Sequence, residues 1–138
     1  MKAIVDTCVW SLSLRRRDKT RINACEQRML DDLREAIRDR RAAIIGPIRQ
    51  EVLSGIRDKA QFAKVRGLLD PFRDEEIVAG DYIEAARLFN LCRDRGIECG
   101  PVDILICAVA RRKQLSILTS DLGLQGCVEV LRTEGVLQ

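Results

Sequence analysis

Short runs rich in β-branched residues alternate with longer stretches of helical period along the whole chain, and that alternation admits few folds. The short runs cover residues 2–6, 42–45, 76–79, 116–119 and 128–131. Between them the spacing of apolar residues predicts helices over 9–14, 22–38, 47–54, 59–69, 82–95 and 102–113, with a short turn or helix at 122–125. The punctuation agrees. Pro47 and Pro101 suit first helical positions, Asp58 and Asp81 suit N-caps, and Gly55 and Gly96 suit helix stops. Strand, helix, strand in succession implies parallel strands joined by helical crossovers. Right-handed crossovers then give one α/β domain over residues 1–138: a three-layer α/β/α sandwich around a central parallel sheet of about five strands.

Such a sheet binds ligands at the carboxyl ends of its strands, where the strand order reverses. Asp6 closes the first predicted strand and Asp121 follows the fourth. Two further acids, Glu51 and Asp103, lie in helical segments that are otherwise largely apolar nearby. Each acid has an ordinary local explanation. Asp6 can cap the next helix, Glu51 can be a surface acid, Asp103 can face the helix dipole, and Asp121 can open an Asx turn. Alone in apolar surroundings, a carboxylate is costly to ionise. Four that converge on one or two divalent cations are not, because the cation offsets both desolvation and repulsion. Oxygen ligands favour magnesium or manganese. Such a site suits phosphoryl chemistry, with one carboxylate in reach of the attacking water.

Composition narrows the chemistry further. Histidine is absent, which removes Ser-His-Asp and Cys-His catalysis and nearly every common catalytic zinc site. No phosphate-binding Gly-x-x-x-x-Gly-Lys loop or dinucleotide glycine fingerprint is present. Charge is uneven: residues 1–69 hold 16 Lys+Arg against 9 Asp+Glu, while residues 70–138 hold 8 against 12. Arg15, Arg16, Arg17, Lys19 and Arg21 form the densest basic run, either a solvated face or a grip on phosphates. Aromatic residues are only 4% of the chain, so base stacking is not its main means of holding single strands. No apolar run is long enough to span a membrane, and a charge follows three apolar residues at the N-terminus, unlike a secretory signal. A cytoplasmic protein is expected. Its six cysteines, none in a C-x-x-C pair, are therefore expected as unpaired thiols.

In order, Ile4-Val5-Asp6-Thr7-Cys8-Val9-Trp10, Glu51-Val52-Leu53-Ser54-Gly55, Gly100-Pro101-Val102-Asp103-Ile104-Leu105-Ile106-Cys107-Ala108 and Leu118-Thr119-Ser120-Asp121 span nearly the whole chain. With this set the chain resembles a PIN-domain ribonuclease, and more narrowly a VapC-type toxin of a toxin–antitoxin pair. The resemblance implies that Asp6, Glu51, Asp103 and Asp121 bind magnesium or manganese and activate water for RNA cleavage, with Thr119 supporting them. It implies transfer or ribosomal RNA as substrate, an antitoxin that blocks the site, and a homodimer. The chain departs from many relatives at Cys8 (serine or asparagine there), at Gly123 (a further acid) and at Leu124 (an aromatic). No family role transfers to the basic run, which is expected to contact RNA phosphates. Two other readings compete: a catalytically silent RNA-binding or scaffold module, and a receiver-type phosphoacceptor domain. A receiver normally has adjacent acids after its first strand, where this chain has Thr7-Cys8.

Overall fold

A computed structural model describes residues 1–16 and 20–138. Its parallel sheet has β1 (Ala3–Val5) in the middle, between β2 (Ala42–Ala43) and β3 (Ser116–Leu118). Ile4 and Val5 have no accessible surface. A central strand covered on both faces has no solvent side, so its run carries no polar residue before Asp6. The chain passes from β1 to β2 on one side, then returns to the other side for β3. The connections therefore part at β1, which opens a crevice at the carboxyl ends of β1 and β3.

Seven helices flank the sheet among the described residues: α1 (Thr7–Leu14), α2 (Ala24–Arg38), α3 (Gly46–Leu53), α4 (Lys59–Leu69), α5 (Ala79–Asp94), α6 (Pro101–Lys113) and α7 (Leu122–Thr133). Local chemistry sets most of their ends. Asn23 and Glu26 form a reciprocal capping box that opens α2. The Asp58 side chain accepts from the Gln61 N–H at 2.9 Å, so α4 starts and ends where the sequence predicts. Pro47 and Pro101 occupy first-turn positions of α3 and α6. Gly55 and Gly96 take positive φ just beyond α3 and α5, a conformation that favours glycine. In α6, residues 104–110 are all buried, as expected for a helix that is apolar nearly all round. No helix among the described residues is long and apolar enough to cross a membrane.

Two expected strands are not strands. Residues 76–79 form no ladder; the nearest pairing is a single parallel bridge between Ile44 and Asp74. Glu75 there is tied to Lys2 and Lys113, and Ala79 already opens α5. Residues 128–131 belong to α7. Leu124, Cys127, Val128 and Leu131 stand at helical spacing and are all buried, whereas a four-residue apolar run alone does not separate helix from strand. The sheet therefore has three strands rather than about five.

Asp81 is not the N-cap of α5 but its third residue. Its carboxylate reaches back to the Val78 N–H at 2.9 Å and takes a forked pair of bonds from Arg112 on α6, at 2.7 and 2.8 Å. Arg112 holds this buried carboxyl below its usual range. Arg112→Gln is expected to lower unfolding stability by about 1–2 kcal/mol, read from the urea midpoint, because it strands a buried charge whose partner is partly solvated. Asp81's folded pKa is the depressed one, so this pairing is worth most above the unfolded value. The gap to the parent should shrink as pH falls.

The cysteines also depart from expectation. Cys99, just before α6, and Cys127 on α7 are joined in a disulfide with Cα atoms 6.1 Å apart. Spacing of 28 residues says nothing about this pairing; only the docking of α7 beside the start of α6 creates it. Cys92 and Cys107 are buried free thiols. Burial pushes the Cys107 thiol up to about 12, with Cys92 and Asp103 adding to the shift.

Candidate active site

Asp6 does two jobs at the end of β1. Its N–H donates to the Leu118 carbonyl at 2.9 Å, which fastens the end of β1 beside the end of β3. Its Oδ1 then caps α1 by accepting from the Thr7 N–H at 2.8 Å. The other oxygen, Oδ2, accepts from the Thr119 hydroxyl at 2.7 Å. Thr119 Oγ1 in turn accepts from the Asp121 N–H at 3.0 Å. One hydroxyl thus links the two acids that stand at neighbouring strand ends, 115 positions apart in sequence. Asp121 Oδ2 caps α7 through the Leu124 N–H at 2.9 Å. The capping explanations of Asp6 and Asp121 are therefore both realised, and they do not compete with a shared site. A cap fixes the carboxylate at the crevice.

Glu51 comes from the second half of α3. The Thr7 hydroxyl donates to its Oε1 at 2.8 Å, which draws that side chain toward the end of β1. Asp103 lies in the first turn of α6. Its carboxyl is pushed up to about 6, first by burial and then by the charges of Asp6, Asp121 and Glu51. All four acids therefore share one electrostatic neighbourhood. Among the described residues none of the four makes an ion pair. Asp74, Glu75, Asp81 and Glu84 elsewhere each have an Arg or Lys. Among the described residues the quartet is a concentration of negative charge with no basic side chain bound to it.

Among the described residues no group of three or more Cys, Asp or Glu side chains stands close enough together to hold a metal ion. The donor set nonetheless fits a hard divalent cation, being carboxylates and hydroxyls with no basic partner. Gly123 points the same way: a Cβ there would stand 3.1 Å from Asp121 Oδ2 and 4.0 Å from Asp103 Oδ2. The glycine leaves open the space beside these two carboxylates.

Thr7 and Ser120 are hydroxyls that the sequence already offers beside the acids, and Cys8 is a neighbour that its pattern does not mark. Thr7 orients Glu51. Cys8 Sγ lies 3.5 Å from Asp6 Oδ2 and 3.4 Å from Ser120 Oγ. Ser120 stands beside Thr119. In the basic run, Arg15 donates to the Ser54 carbonyl at 3.4 Å. Arg16 pairs with Glu26 and donates to the Arg21 carbonyl. Arg17 and Lys19 lie outside the described residues.

No curated protein matches the chain. The sequence model of the PIN domain matches residues 3–126, from β1 into α7, and so takes in all four acids and Thr119. With its parallel sheet, its flanking helices and the acids gathered at the carboxyl edge, the chain belongs to the PIN domain family, whose members are typically nucleases.

Proposed function

We propose that the protein, as a single domain over residues 1–138, is a magnesium- or manganese-dependent endoribonuclease with Asp6, Glu51, Asp103 and Asp121 as metal ligands. The observation that carries this reading is the set of four acids at the crevice between β1 and β3 with, among the described residues, no basic partner. A bound divalent cation would polarise the scissile phosphate, lower the pKa of the attacking water and offset charge on the departing oxygen.

The chain's own side chains prepare that chemistry. The Thr119 hydroxyl and the Thr7 N–H lock Asp6 in one rotamer, with both oxygens oriented. The Thr7 hydroxyl does the same for Glu51. Such preorganisation means little rearrangement remains at the moment of reaction. Asp103, whose carboxyl is raised to about 6 by burial and by its acidic neighbours, is the carboxylate we assign to take the proton from the attacking water.

The finer biological reading, also proposed, is the toxin of a type II toxin–antitoxin pair, acting on transfer or ribosomal RNA in the cytoplasm as a homodimer. The resemblance to VapC-type toxins supports it. So does the unpaired acidic cluster, which a basic side chain from an antitoxin could occupy.

Incubating purified protein with total RNA tests the activity. Endonucleolytic fragments are expected with magnesium or manganese, and none with a chelator. A silent RNA-binding module would leave the RNA intact under both conditions.

A further inference from the structure

We propose that a groove along α1 is a substrate-strand subsite, in which Arg15 binds an RNA phosphate a few nucleotides from the one cleaved. This proposal rests on the nuclease reading above.

The groove begins at the catalytic edge. An open depression of about 480 Å³ is lined by Cys8, Ser11, Leu12 and Arg15 together with Arg16, Glu26 and Ser120. Cys8, Ser11, Leu12 and Arg15 stand at i, i+3, i+4 and i+7, so they form a single face of α1. The opposite face carries Val9 and Trp10 into the core, which holds the helix in place. Cys8 also touches both Ser120 and Asp6. The depression and the acidic cluster thus share a wall.

The two arginines differ. Arg16 is occupied: it pairs with Glu26, which also closes the capping box of α2, and it donates to the Arg21 carbonyl. That contact ties the end of α1 to the start of α2. Arg15 has no carboxylate partner among the described residues, and its one contact is a 3.4 Å bond to the Ser54 carbonyl. A half-buried guanidinium that no carboxylate among the described residues engages, at the end of a groove that starts at the reacting edge, suits a phosphate. From Cys8 to Arg15 the helix advances about 10 Å at ~1.5 Å per residue. At the ~3.4 Å axial rise of a stacked duplex strand this spans at most about three nucleotides, and fewer of an extended strand. The Ser11 and Ser120 hydroxyls between them can bond phosphate or 2′-OH groups of the intervening nucleotides.

The test compares the parent with Arg15→Gln, Arg15→Lys and Arg38→Gln, the last a fully separate surface cation in the final turn of α2. Binding of a fluorescent single-stranded oligoribonucleotide is measured by anisotropy in chelator, across a salt series, so that no cleavage intervenes. Arg15→Gln is expected to weaken binding about tenfold and to reduce the salt slope by about 0.7, one phosphate contact on a single strand. Arg15→Lys should keep the slope, and Arg38→Gln should match the parent. With magnesium, Arg15→Gln should raise KM and leave kcat near that of the parent. An Arg15→Gln protein with the parent's affinity and slope, or with changes no larger than those of Arg38→Gln, would overturn the subsite. Failure of the parent to cleave would instead count against the nuclease reading and leave the binding result standing.

Discussion

Asp6→Asn is expected to reduce cation-dependent RNA cleavage by about 10²–10³-fold, the usual cost of removing one preorganised electrostatic group from an active site. Initial rates on a defined RNA, with magnesium in excess, measure it. The same substitution should leave unfolding stability in chelator within about 1 kcal/mol of the parent. Two effects oppose each other there. The asparagine Oδ1 still accepts from the Thr7 N–H, but its amide can no longer accept from the Thr119 hydroxyl as Asp6 Oδ2 does. Against that loss, one of the charges that raises Asp103 disappears. Separation of activity from stability is what marks Asp6 as a working group rather than a cap alone. A folded Asp6→Asn protein that cleaves as fast as the parent would remove Asp6 from the mechanism.

The acidic cluster should also make stability depend on pH in a direction opposite to that of a salt-bridged acid. Asp103 has its folded pKa raised to about 6 from the ordinary 3.8, through burial first and then Asp6, Asp121 and Glu51. Folded chains then hold a proton on Asp103 over a range where unfolded chains have released it. By linkage, Asp103's contribution to stability in chelator is fully present below about pH 4 and is lost as pH rises through about 6. Urea midpoints measured across that range should show the fall. Asp103→Asn should flatten the curve and be the more stable protein at neutral pH. Magnesium should restore the parent above pH 6, by about 2.7 kcal/mol when present at a hundredfold excess over its dissociation constant. A parent whose midpoint rises between pH 4 and 7 in chelator, or that ignores magnesium, would contradict a shared carboxylate site.

Several structural details bear on how far the primary structure could be read. The bounds of α4 and the start of α6 follow from Asp58 and Pro101, because capping and proline chemistry act within one turn. The long burial of residues 104–110 follows equally from their own character. The two misread strands, 76–79 and 128–131, fail for one reason: four residues carry too little periodicity to outvote their surroundings. In α7 the decisive pattern includes Leu124 and Cys127, across Gly126, which reads locally as a breaker. Asp81 shows the same limit. Its identity as an acid near a helix start was legible, but not its forked pairing with Arg112, 31 positions away.

By itself, the primary structure determined the parallel α/β class, most helix ends and the identity of the acids, since spacing, caps and alternation are short-range properties of the chain. Only the tertiary structure decided which distant groups meet: Thr119 with Asp6, Thr7 with Glu51, Cys99 with Cys127, and Arg112 with Asp81. Those encounters depend on sheet order and helix docking, which are set by the packing of the whole core and are written in no single stretch of residues.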